Sequence, residues 1–158
     1  MFTSIATLSI SALSILGLGA TTSVPAKTVN GCVIKANAQC KKANLNGASL
    51  SKANLTKANL RSAKLRNANL AGADLSRADL TGADLTGAQL NNAYLTKAYL
   101  TNANLTGAYL RSAAMRDAYL PDANLTFADL SHAALGSADL RNANLTNAIV
   151  FNADLNLV

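Results

Sequence analysis

From Ala38 to Ala153 every fifth residue is alanine, without exception in twenty-four repeats. Two residues after each alanine comes leucine, in twenty-one of the twenty-four; Cys40, Met115 and Val150 take its place in the others, and all three are apolar. No regular element has that period. On a helix five residues advance about 500°, so the apolar positions smear around the cylinder. On one straight strand an odd period sends alternate repeats to opposite faces. A strand that turns a corner after each leucine escapes both problems. Alanine and leucine, two apart, point to one side of a short extended segment. A bend over the next two residues then aims the following pair at the same interior.

The corner residues agree with this reading. Gly47, Gly72, Gly82, Gly87 and Gly107 stand at the second position after leucine, and asparagine takes that slot at 67, 92, 102, 142, 147 and 152. Both residues tolerate the positive φ that tight turns demand. Four right-angle corners close a square coil, so the structural period is twenty, and residues 38–157 make about six coils. With about 4.8 Å between coils the tube is roughly 30 Å tall. Leucine fills its axis and alanine sits where walls approach. That leaves no large hollow and no internal ligand site. A fixed repeat of this kind takes precedence over element-by-element assignment.

The segments "ANLTKANL", "ADLSRADL" and "ANLTNA" write out Ala-Asn/Asp-Leu-X-X, with Asn or Asp between alanine and leucine in thirteen of the twenty-four repeats. On these residues the chain resembles the pentapeptide-repeat protein family, over residues 38–157. The resemblance implies an all-β fold, a right-handed quadrilateral β-helix (a solenoid) with alanine and leucine inward and the other three positions outward. It is similar to exported cyanobacterial members of the periplasm or thylakoid lumen. The resemblance brings no catalytic activity with it. The best understood branch, the fluoroquinolone-resistance proteins, mimics DNA and binds gyrase.

The first twenty-six residues carry no charged side chain. "SIATLSISALSILGLGA" is an apolar run broken by Ser and Thr, and "TTSVPA" follows before Lys27. Val24 and Ala26 match the small residues of a signal-peptidase site, so residues 1–26 read as a signal peptide cut after Ala26. No Lys or Arg precedes the apolar run, which leaves open an uncleaved anchor or a start further upstream. The "VNGC" segment offers a lipoprotein reading, with Asn30 poorly suited to its slot. Residues 27–37 then form an N-terminal cap segment containing Cys32, and 38–158 the repeat region. No membrane span remains after cleavage. The chain has two cysteines, Cys32 and Cys40. An even pair in an exported chain suggests a disulfide, with two free thiols the alternative. Closing so short a loop contributes roughly 2.5 kcal/mol on the chain-entropy estimate.

The formal charge is +6, unevenly placed. Residues 27–70 hold nine Lys or Arg and no acid, while residues 71–158 hold five cations and eight Asp. Positions twenty apart stack. Lys57, Arg77 and Lys97 therefore line one edge above Asp117, and Tyr99 stacks over Tyr119. Lys64 stacks on Asp84 as an exposed ion pair, and Thr86, Thr106, Thr126 and Thr146 form a ladder of hydroxyl and methyl contacts. The cationic edge and the two tyrosines are the candidate partner surface; solvated charge and plain strand stabilisation are the competing explanations. Ile149 and Phe151 take outward slots near the end, followed by Leu157 and Val158. An uncovered last coil exposes strand edges and apolar side chains, so this end is expected to dock on a partner or a second copy.

No constellation of nucleophile, base and orienting group assembles. His132 has no Cys or Ser nucleophile near it, and the six Asp between alanine and leucine are spread around the tube. No cofactor or metal site is expected. The leading expectation is an exported structural or protein-interaction module without catalytic activity, its partner unidentified. One alternative is a DNA mimic that inhibits or protects DNA gyrase, disfavoured by the positive charge and the leader. Another is binding of an anionic surface through the basic first coils, with nucleic acid the weaker choice of ligand.

Overall fold

The computed structural model describes residues 26–156. The expected signal peptide up to residue 25, and Leu157 and Val158 of the expected docking end, lie outside the described residues.

The described chain begins with a small hairpin, β1 (Thr28–Val29) and β2 (Cys32–Val33), paired antiparallel with Thr28 opposite Val33. Asn30 and Gly31 make its two-residue turn with φ of 46° and 79°, the signs that mirror-image hairpin turns require. Cys32 and Ile34 are buried in the core. Lys27 Nζ donates to Ser49 O at 2.6 Å and Asn30 Nδ2 to Asn44 O at 2.7 Å. The hairpin thus covers the first coil and supplies donors to carbonyls there. Cys32 and Cys40 are disulfide-bonded, with Cα atoms 5.2 Å apart, which ties the hairpin to the first wall.

Beyond it the chain winds as a square tube. Parallel bridges link residues twenty apart at every repeat, from Gln39 with Asn59 to Ala134 with Asp154. Three backbone bonds per pentapeptide join neighbouring coils, as in Leu65 N–H to Asp84 O at 2.7 Å, Asn67 N–H to Thr86 O at 2.9 Å and Asp84 N–H to Ala63 O at 2.9 Å. Four walls result, named here by the first residue of each outward ladder: Gln39, Asn44, Ser49 and Asn54 begin the first to fourth walls. Inside, every alanine and leucine from Leu55 to Leu135, and Met115 among them, is at most 1% exposed. The all-β, right-handed quadrilateral β-helix is the observed architecture. Cover thins toward the last coil, where Leu140 and Leu145 are half-buried and Val150 and Leu155 are each 40% exposed.

Each corner is a turn closed by the alanine N–H onto the preceding leucine carbonyl, as in Ala58 to Leu55 at 2.9 Å. The residue just before alanine has φ between 52° and 65° at every corner from Asn37 to Asn152. Gly and Asn fill that slot comfortably, yet Lys57, Arg77, Lys97, Asp117, Phe127 and His132 adopt the same left-handed geometry. The ladder on either side over-determines the backbone, so residues that disfavour this region are forced into it.

Candidate interaction surface

The outward position between alanine and leucine has a local task. All thirteen Asn and Asp in that slot accept the backbone N–H two residues on, for example Asp74 from Ser76 at 2.9 Å, Asn104 from Thr106 at 3.1 Å and Asp129 from Ser131 at 2.9 Å. This is the Asx turn, in which a short polar side chain imitates a backbone acceptor. The preference of Asn and Asp for turns is the sequence signal that could have revealed it.

Ionisation follows from those bonds. Partial burial opposes charge on Asp74 and Asp79. Hydrogen bonds from Ser76 and Thr81, and for Asp79 from Arg61, outweigh it and hold both below the usual carboxylate range. Asp129 is lowered chiefly by Ser131, and Asp139 chiefly by the hydrogen bond from Arg141. The guanidinium of Arg141 spans the Asp139 carboxylate at 2.9 and 2.7 Å and also donates to Tyr119 Oη at 3.3 Å.

Where another residue takes the outward slot, the turn donor loses that acceptor; the Arg66 N–H, behind Lys64, donates to Asn46 Oδ1 at 2.9 Å instead. The N–H groups of Thr96, Thr101 and Arg111, behind Tyr94, Tyr99 and Tyr109, have no acceptor among the described residues, nor do those of Arg116 and Gly136 behind Ala114 and Ala134. Behind Tyr119 stands Pro121, which has no N–H to satisfy. Tyr94, Tyr99 and Tyr109 occupy three walls of one coil and are each more than half exposed. Tyr119 lies beneath Tyr99, ring centroids 6.4 Å apart, edge to face.

The cationic edge stands where the fourth wall turns into the first. Lys57, Arg77 and Lys97 stack there on successive coils with φ of 56°, 59° and 59°. Lys97 Nζ lies 4.0 Å from Asp117 Oδ2. Lys57 and Arg77 have no ion-pair partner within 4.0 Å among the described residues.

Two ladders differ from the sequence expectation. Lys64 does stand over Asp84 in the backbone register, but the carboxylate turns to Arg66, at 3.7 Å. Arg61 pairs with Asp79 in the same diagonal fashion, at 3.0 Å. The long guanidinium two positions on reaches the next coil's carboxylate, whose other oxygen is held by its own turn. The threonine hydroxyls likewise bond within their own coil, to Asp84, Asn104, Asn124 and Asn144. One contact between coils, Thr106 to Thr126 at 3.4 Å, joins hydroxyls directly.

Ile149 and Phe151 are 54% and 65% exposed on the third wall. Phe127, 63% exposed at the adjoining corner, was not singled out by sequence reasoning. His132 meets Phe151 edge to face at 5.6 Å. On the fourth wall Gly136 leaves an open polar cleft of about 340 Å³ between Arg116, Asp117, Ser137, Asp154 and Asn156. Among the described residues no group of three or more His, Cys, Asp or Glu side chains could hold a metal ion. Among the described residues no helix is long and apolar enough to cross a membrane.

A right-angled coil of Ala-Asn/Asp-Leu-X-X units with its outward turns capped in this way defines a class. The chain belongs to the pentapeptide repeat family, whose repeats match at residues 36–70, 58–96, 88–126 and 123–158. Among solved structures it is similar to a pentapeptide repeat protein of the Arabidopsis thaliana thylakoid lumen, at 35% identity over 59% of this chain and 65% of that one, with a TM-score of 0.58. It is also similar to HetL of the cyanobacterium Nostoc sp. strain PCC 7120, a pentapeptide repeat protein involved in heterocyst differentiation regulation. That match has 36% identity over 73% of this chain and 60% of that one, with a TM-score of 0.48. A third neighbour, Rfr23 of Cyanothece 51142, shows 36% identity over 61% of this chain and 60% of that one, TM-score 0.45. The chain therefore spans 60 to 65% of the length of these three neighbours. No curated protein sequence matches it.

Proposed function

We propose that this protein is an exported, non-catalytic interaction module that presents the Lys57–Arg77–Lys97 edge, flanked by Tyr99 and Tyr119, to an acidic protein partner. The observation that carries the reading is the stack of three cations at one corner. Like charges repel on neighbouring coils, and only Lys97 has a carboxylate beside it. A partner's carboxylates relieve the repulsion, and the adjacent exposed tyrosines supply contact area of the type enriched at interfaces.

Export is supported by the leader sequence, by the Cys32–Cys40 pair and by the lumenal neighbour. The mature N-terminus is then Lys27, in a periplasm or thylakoid lumen. DNA mimicry toward gyrase calls for an acidic face. Six of the eight Asp are instead occupied as turn acceptors, and the chain carries +6.

Binding of fluorescent poly-aspartate, followed by anisotropy, tests the reading. The expected result is an affinity that falls with salt and drops at least about ten-fold when Lys57, Arg77 and Lys97 become Asn, a residue the left-handed corners accept. Equal binding by the triple variant, or tighter binding to duplex DNA of the same charge, would overturn it.

A further inference from the structure

The face of the third wall carries two charged residues, against three each on the second and fourth and five on the first. In its first three coils the residues that project from its face are uncharged, Ser49, Asn69 and Gln89 in one column and Ser51, Ala71 and Asn91 in the other. Its two charged residues are Arg111 and Asp129, with Lys52 at the corner that further on holds His132 and the Lys27 ammonium on Ser49 O. The first, second and fourth walls carry Lys41 and Arg61, Lys64 and Arg66, and Asp74 and Arg116 respectively, among others.

The same wall collects exposed apolar side chains. Ile149, Phe151 and Tyr109 project from it, and Phe127 stands at its edge with 63% of its surface exposed and a φ of 60°. The other residues of that corner stack are Gly47, Asn67, Gly87, Gly107 and Asn147. An exposed bulky apolar residue is disfavoured there by water, and exposed apolar patches mark contact surfaces.

The residues of the wall form two parallel columns, Tyr109–Asp129–Ile149 and Arg111–Ser131–Phe151, joined coil to coil. A two-fold axis parallel to the tube sets each column of one copy against the other column of a second copy. Ile149 then meets Phe151, Tyr109 meets the Arg111 guanidinium in a cation–π contact, and Asp129 lies one coil from Arg111, the Ser131 between being buried in its own chain. Phe127 faces His132. An axis across the tube at the height of that coil would oppose Asp129 to Asp129. One patch that complements itself under one rotation is the signature of an isologous contact.

We infer that the third wall is a self-association surface on which a second copy of this chain docks side by side, the two tubes pointing the same way. The wall is narrow, so the contact falls in the transient class, below about 1,200 Å². It goes beyond the proposed partner surface, which lies on the corner between the fourth and first walls.

Sedimentation of the full chain across a concentration series, from micromolar to millimolar, tests it. The expected result is a reversible shift toward the mass of a dimer. Ile149→Asp gives the Phe151 N–H the turn acceptor it lacks, so its thermal midpoint is expected to hold or rise. The same change puts a carboxylate against the second copy's Phe151 and weakens association at least about ten-fold. Arg111→Asp is expected to weaken it similarly, by setting two carboxylates together. Replacement of Lys57, Arg77 and Lys97 by Asn leaves association unchanged, which separates this surface from the partner edge. A monomer at every concentration, or association as strong in Ile149→Asp and Arg111→Asp as in the parent, would overturn the inference.

Discussion

Ala114 and Asp74 occupy equivalent positions on one wall, yet only Asp74 reaches back to its turn. The Ser76 N–H is bonded at 2.9 Å, whereas the Arg116 N–H has no acceptor among the described residues. Ala114→Asn supplies one. The expected gain is about 1 kcal/mol, a rise of about 2–4 °C in midpoint for a chain of this size, read by thermal unfolding; an unchanged or lowered midpoint contradicts the account. The carboxylates that already cap turns make a pH prediction. Asp74, Asp79, Asp129 and Asp139 all sit below the ordinary value when folded. Their contribution is therefore complete above the unfolded carboxylate range near pH 4 and fades as pH falls through the lower folded values. Thermal midpoints measured from pH 7 to pH 2 should fall in that acid window. Asp74→Asn with Asp79→Asn should flatten the fall, because asparagine keeps the acceptor and does not titrate.

At the scale of the coil, stability resides in the leucine stack. Leu90 is fully buried, and Leu90→Ala is expected to cost about 2–5 kcal/mol. Leu155 is already 40% exposed, so the same truncation there costs clearly less; denaturant unfolding of the two variants compares them directly. The coil is also where the sequence was most readable. Alanine and leucine at a period of five determine which atoms face inward, and Gly47 or Asn67 marks a corner by its conformational preference. Side-chain direction on the outside was less readable. Stacking placed Lys64 over Asp84 correctly in register, but which cation reaches the carboxylate depends on side-chain length and on the oxygen left free by the turn. The threonine hydroxyls had two acceptors within reach, one in their own coil and one in the next, and composition alone does not choose between them. Phe127 was passed over because a corner slot filled mostly by Gly and Asn does not advertise an apolar exception.

Across the whole molecule, the coils form a one-dimensional stack in which each layer contacts only its neighbours. The hairpin and the Cys32–Cys40 bond cover one end, while cations gather in the coils nearest to it and carboxylates in those further on. The proposed partner edge and the proposed self-association wall lie on different sides of the tube, so both can be used at once. That separation depends on the count of residues between them. Twenty residues complete a revolution, so five are a quarter-turn. Gain or loss of a single pentapeptide spares the interior and swings everything downstream onto the adjacent wall, whereas four together restore the original bearing. In this architecture a short insertion acts as a rotation: it would carry Phe151 to a different compass point from Ser49 without altering one buried contact type.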